Sequence, residues 1–392
     1  MEIRFLIART GAQQVAEDFV ARDARGAILS SWYRAYYLLR PLIPGFVRRR
    51  LQSRLLKQKT SDDRGDDWYF PGDFLDSLVA SVKDAEDALP IIHPWPGGAR
   101  FGLVLTHDVE TAAGLREVDQ LARVEERLGL RSSWNLVPHK YPIDMGLVRD
   151  LQARGFEIGI HGYNHDGRLY ASRRTFERRA AYINAALERY GAVGFRSPMV
   201  HRNLEWLQLL NVEYDASCFD VDPFQAMPGG VGGIWPFICG KFVELPYTLP
   251  QDHTLLIVLG ADGPRAWERK LQYLVARSGM ALMLTHPDYL NTPRRLDLYR
   301  KFLERALAEE GGWHALPREA ARWWRQRDDS SIVQDAQSQF AIEGPAGAQG
   351  VVAKVMVDQE CLRIEPLMGV DRSAATGCEP APGRLAARPS KA

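Results

Sequence analysis

Repeatedly along this chain a short apolar run ends and chemically capable side chains follow at once. Residues 101–105 (Phe-Gly-Leu-Val-Leu) lead into Thr106, His107, Asp108, Val109 and Glu110, and residues 156–160 lead into His161, Gly162, Tyr163, Asn164 and His165. The same layout recurs where 193–195 meet Arg196, Ser197 and Pro198, where 241–245 meet Pro246 and Tyr247, and where 280–285 meet His286, Pro287 and Asp288. Buried parallel strands read as near-continuous apolar runs, and reactive groups at the ends of several such strands are how a β/α barrel builds its site at the carboxyl face. Helical stretches at 114–128, 172–190 and 264–276 alternate with the runs, and a strand at 313–316 with a helix at 317–327 would close the barrel. The fold class expected is α/β, a (β/α) TIM-like barrel with an N-terminal helical extension and a C-terminal tail.

The chemistry at two of these strand ends is specific. Two neutral imidazoles and a carboxylate are a common way to hold zinc with one position left open for water, which is a catalytic arrangement rather than a structural one. His161 and His165 supply the imidazoles, and Asp108 or Glu110 the carboxylate. The pair is not the metalloprotease helix motif, because Gly162 stands where that motif needs a glutamate base and the preceding residues read as strand. The reaction class indicated is hydrolysis assisted by a divalent ion, with zinc the expected metal.

Taken in order, Thr-His-Asp-Val-Glu at 106–110, His-Gly-Tyr-Asn-His at 161–165, Arg-Ser-Pro at 196–198 and Leu-Thr-His at 284–286 resemble the motifs of the polysaccharide deacetylase family (NodB-like, carbohydrate esterase family 4). The resemblance spans about residues 100 to 325. It implies a deformed (β/α) barrel and metal-dependent removal of acetyl groups from N-acetylated sugars, polymeric or lipid-linked. Carried over position by position, it makes Asp108 the base and Glu110, His161 and His165 the metal ligands. The family most often has adjacent aspartates in its first motif, whereas this chain has Asp108-Val109-Glu110, so which carboxylate is base and which is ligand stays open.

The same resemblance makes His286 the acid that protonates the leaving amine, a task suited to a group whose unperturbed pKa is about 6.5. Asp220 and Asp222 are candidates for its acidic partner. Arg196 is implied to hold the base carboxylate by paired hydrogen bonds, for which a guanidinium fork is shaped, and Glu244 could share that network. Leu284 matches the apolar residue of the acetyl-methyl pocket. Asp222, Glu244 and Trp235, the last as a flat face for a sugar ring, complete the substrate-binding candidates; His107, His139, His201 and His253 have weaker claims.

Two alternatives are hydrolysis of a non-sugar amide or other C–N bond on the same barrel, and a non-catalytic glycan-binding protein. An amidohydrolase-type metal barrel is disfavoured because its first strand would end in His-x-His, not Thr-His-Asp.

The expected organisation is a basic helical extension and linker over 1–99, the barrel over 100–327, a small β-hairpin appendage within 328–368 (351–357 with 361–364) and a disordered tail over 369–392. Charges are balanced, 50 Lys and Arg against 49 Asp and Glu, which argues against nucleic acid as a general partner. The four cysteines form no C-x-x-C pair. No secretory signal is evident, so cytoplasmic residence is the expectation. Residues 26–60 mix arginine and lysine with Trp32, Tyr33, Tyr36, Tyr37 and Phe46 and hold no acidic residue, a composition suited to peripheral contact with an anionic membrane face. The oligomeric state is not legible.

Overall fold

The computed structural model describes residues 3–4, 67–72, 75–76, 78–80, 90–225, 227, 230–334, 339–358 and 361–367. The basic and aromatic stretch at 26–60 and the tail at 369–392 lie outside the described residues. Among the described residues no helix is long and apolar enough to cross a membrane.

In chain order the strands are β1 (Ile3–Arg4), β2 (Pro90–Ile92), β3 (Phe101–Val109), β4 (Ser133–Leu136), β5 (Glu157–His161), β6 (Gly194–Arg196), β7 (Tyr214–Asp215), β8 (Phe237–Cys239), β9 (Phe242–Glu244), β10 (Met280–Thr285), β11 (Gly312–His314), β12 (Ser331–Gln334), β13 (Phe340–Glu343), β14 (Val352–Asp358) and β15 (Cys361–Pro366). The helices are α1 (Ala112–Arg127), α2 (Met145–Ala153), α3 (Arg173–Tyr190), α4 (Leu204–Leu207), α5 (Arg265–Val275), α6 (Pro293–Leu307) and α7 (Pro317–Asp328).

β10, β3, β4, β5, β6, β7 and β9 lie side by side in parallel, and β11 runs parallel along the start of β3. β8 and β1 extend the sheet antiparallel beyond β9. Every residue of β3, β4, β5 and β10 is buried, as strands covered on both faces must be. The expected α/β barrel is therefore present, and it is deformed where it closes. There the N–H groups of Thr248 and Leu249 both reach the Leu282 carbonyl, at 3.2 and 3.1 Å, and the Thr248 hydroxyl accepts from Leu282 N–H. Pro246 and Pro250 flank this contact and lack the donors of a regular ladder.

Helix starts follow capping chemistry. Thr111 accepts from the Ala113 and Gly114 N–H groups at the head of α1, and Ser172 caps Thr175 N–H at the head of α3. Gly191 ends α3 in the left-handed region at φ 60°.

Within the region expected as extension and linker (1–99), residues 90–98 are structured. β2 pairs antiparallel with β14, and Trp95 is fully buried with its indole against Gly102. The partner of β2 lies more than 250 residues further along the chain, so no local pattern discloses the strand. β14 and β15 form an antiparallel hairpin that docks on β2, and β12 with β13 forms a second antiparallel pair.

Candidate metal centre and active site

Strand register assembles the centre. β3 places Asp108 beside Asn135 of β4, Asn135 lies beside Gly159 of β5, and His161 at the end of β5 lies beside Arg196 of β6. Glu110 follows β3 directly, and His165 sits in the loop after β5.

Glu110, His161 and His165 each turn one ligand atom inward, and these atoms lie within 4.8 Å of one another. His165 Nε2 is 2.9 Å from Glu110 Oε1. His161 donates from Nδ1 to the Arg196 carbonyl at 3.1 Å, which turns Nε2 inward; that nitrogen is buried and has no hydrogen-bond partner. A buried ring nitrogen presenting a lone pair beside a second imidazole and a carboxylate fits zinc. Burial also pushes the His161 pKa down to about 4, so the ring is neutral, as a ligand must be.

The loop that delivers His165 is strained. His165 has φ 59° and Gly162 has φ 69°. A Cβ on Gly162 would lie 2.4 Å from the Pro198 ring, so glycine is required there both by the backbone and by the space.

Asp108 is buried beside the cluster. Its Oδ1 accepts from Asn135 Nδ2 at 2.8 Å and from Arg196 Nη1 at 3.1 Å, and its Oδ2 lies 3.6 Å from His161 Nε2. Burial alone would raise this carboxyl, but His161 and Arg196 outweigh it and the net direction is down. The expectation that Arg196 grips the carboxylate with two bonds is corrected. Only Nη1 reaches Asp108; Nε is spent on the Ala216 carbonyl, and Nη2 is buried without a partner. The second bond comes from Asn135, a polar residue inside a buried strand that no sequence motif singles out.

His286 stands on the other side, with Nε2 3.7 Å from Glu110 Oε1. Its Nδ1 donates to Asp252 Oδ1 at 2.7 Å, and its backbone N–H donates to Asp252 Oδ2 at 2.7 Å. Burial works against the imidazolium, yet the Asp252 carboxylate prevails and lifts the pKa to about 9. Asp252 thus takes the place expected of Asp220 or Asp222. It lies just past Thr248, Leu249 and Pro250 at the barrel closure, a segment that belongs to no strand, so no strand-end pattern marks it. Asp220 is paired with Lys270, and Asp222 accepts from Tyr247, Gln225 and Phe224, so both are consumed inside the fold.

Leu284 lies on β10, buried, two residues before His286. The other two substrate-binding candidates are not brought to the cluster. Glu244 is fully buried on β9 beside Asp215, accepts from Cys218 N–H, and has its pKa raised well above the usual range by burial and by Asp215. The Trp235 indole donates to the Ser278 carbonyl just before β10 begins, which is the amino end of the barrel. His107 points away from Asp108, as strand alternation requires, and is bonded to Glu125 and Thr285.

No family model matches this sequence, and no curated protein matches it. Among solved structures the chain is similar to a protein from Mycobacterium smegmatis described as a polysaccharide deacetylase, at 20% identity over 60% of this chain and 93% of that one, with TM-score 0.51. It is also similar to a protein of Pseudomonas aeruginosa described in the same terms (17% identity, 66% and 99% covered, TM-score 0.47) and to an allantoinase (17%, 65% and 97%, TM-score 0.46). The first of these likenesses shows the fold.

Proposed function

We propose that this chain, which has the barrel fold of a polysaccharide deacetylase, is a divalent-metal-dependent hydrolase that removes acetyl groups from an N-acetylated sugar or polysaccharide. The observation that carries the reading is the convergence of Glu110, His161 and His165 on one point, with Asp108 on one flank and His286 on the other. Those three side chains would hold the ion, with zinc the best match to their donor set. Such an ion would polarise the acetyl carbonyl and bring the pKa of water to about 7.

The remaining work falls to the chain's own residues. Asp108, ionised and with Oδ2 unspent, takes the proton of the attacking water. His286, protonated through Asp252, gives a proton to the departing nitrogen, so the products are acetate and the free amine. Glu110 is bonded to His165 and carries no second clamp, which favours it as ligand and Asp108 as base. Leu284, apolar and two residues before His286, suits the methyl end of the acetyl group.

Acetate release by the purified protein from acetylated polysaccharides, lipid-linked acetamido sugars and simple amides tests the reading. Turnover of the sugar substrates supports it; turnover of simple amides alone would move the assignment to another C–N hydrolase.

A further inference from the structure

We infer that Asn135 is a positioning residue for the base, one half of a two-donor clamp that turns Asp108 Oδ2 toward the metal centre; the inference rests on the hydrolase reading above. Asn135 Nδ2 and Arg196 Nη1 both bond Oδ1, at 2.8 and 3.1 Å, which fixes the carboxylate rotamer and leaves only Oδ2 for proton transfer. The amide is itself fixed. Its oxygen accepts from Ser133 Oγ at 3.3 Å, so its nitrogen must face Asp108.

The neighbouring strand makes room for it. Gly159 lies beside Asn135 in the β4–β5 register, and a Cβ on Gly159 would fall 2.0 Å from Asn135 Oδ1. Glycine inside a strand weakens it, and here it opens the notch that an asparagine pointing into the barrel needs. Asn135 and Gly159 therefore form a matched pair: one supplies the donor and the other its space.

The test is a double-mutant cycle on the full chain. Asn135→Ala removes the donor, and Gly159→Ala pushes the amide off Asp108 with the asparagine kept. Each is expected to lower kcat about 10–100-fold, the scale of an ångström-sized misplacement, with KM and zinc content near wild type. In the Asn135→Ala background the methyl at 159 fills vacated space, so the double variant should be within about twofold of Asn135→Ala alone. Losses that multiply, single variants that keep wild-type kcat, or zinc lost in parallel with activity would overturn the inference. If one variant fails to fold, the other still decides.

A second readout needs no turnover. In metal-free protein carrying ¹⁵N-asparagine, the side-chain amide signals that vanish in Asn135→Ala should be protected from exchange, and Asp108→Ala should remove that protection. Amide protons exchanging as freely as those of an exposed asparagine would contradict the clamp. A wild type that cleaves no acetylated substrate yet shows the protected amide would sink the deacetylase reading and leave the geometry standing.

Discussion

Asp252 holds His286 at two points, accepting the ring Nδ1–H and the backbone N–H at 2.7 Å each, so one carboxylate sets both the charge and the direction of the imidazole. With Nδ1 committed, Nε2 is the atom that faces Glu110.

This pairing makes a pH-dependent expectation. In the proposed function His286 is an acid only while protonated, so kcat/KM should fall on the alkaline side as pH rises through the His286 pKa, which Asp252 lifts to about 9. Asp252→Asn should move that alkaline limb to lower pH and reduce amide turnover by about 10²–10⁴-fold, the span of general acid assistance. Activated esters, whose leaving groups depart unaided, should lose much less. A pH–rate profile with an unmoved limb, or equal losses on both substrate types, would assign Asp252 and His286 to substrate placement instead.

Gly162 sets the turn between two candidate metal ligands, His161 and His165. Its φ of 69° and the Pro198 ring 2.4 Å from any Cβ leave no room for alanine. Gly162→Ala should cost about 1–2 kcal/mol through the left-handed backbone alone. It should also weaken zinc binding by about 10–100-fold, the usual effect of disturbing what orients a ligand. Thermal melts and zinc titration check both; unchanged affinity in a destabilised protein would mean that His161 and His165 are held independently of this turn.

The strand ends were legible because each is an apolar run stopped by a polar residue: Asp108, His161, Arg196 and His286 all lie where that pattern puts them. What joins them was not. Asp252 reaches His286 through the barrel closure at Thr248 and Leu249, a contact between segments with no shared period. Asp220 and Asp222 are the candidates the sequence offers as acidic partner of His286, yet their own partners, Lys270 on α5 and Tyr247, are fixed only by packing. Trp235 has the composition of a sugar platform, but its indole is spent at the amino end of the barrel. Asn135 was hidden for the opposite reason: a polar residue in a buried strand shows its purpose only when the residue across the register, Asp108, is known.

Glu157 offers a test of the scaffold apart from catalysis. This carboxyl is buried on β5, accepts from the Tyr214 hydroxyl and Arg318 N–H, and is pushed by burial from 4.5 to about 7. The folded state therefore binds its proton more tightly than the unfolded chain. The stabilisation is complete below the unfolded pKa and is lost as pH rises through the folded one, by at most roughly 3 kcal/mol at about 1.4 kcal/mol per pKa unit. Denaturant melts of the wild type should show stability declining from pH 5 to pH 8, and Glu157→Gln should flatten that decline. The same slope in both proteins would show that Glu157 does not titrate in this range.

Metal content decides the central claim most directly. Elemental analysis of wild type, His161→Ala, His165→Ala and Asp108→Asn, each confirmed as folded, should find zinc or a similar divalent ion in the wild type and in Asp108→Asn, which loses turnover but no ligand. Both histidine variants should have lost it. Full occupancy in His161→Ala and His165→Ala would contradict the account, because the point where Glu110, His161 and His165 converge would then not be the place that holds the ion.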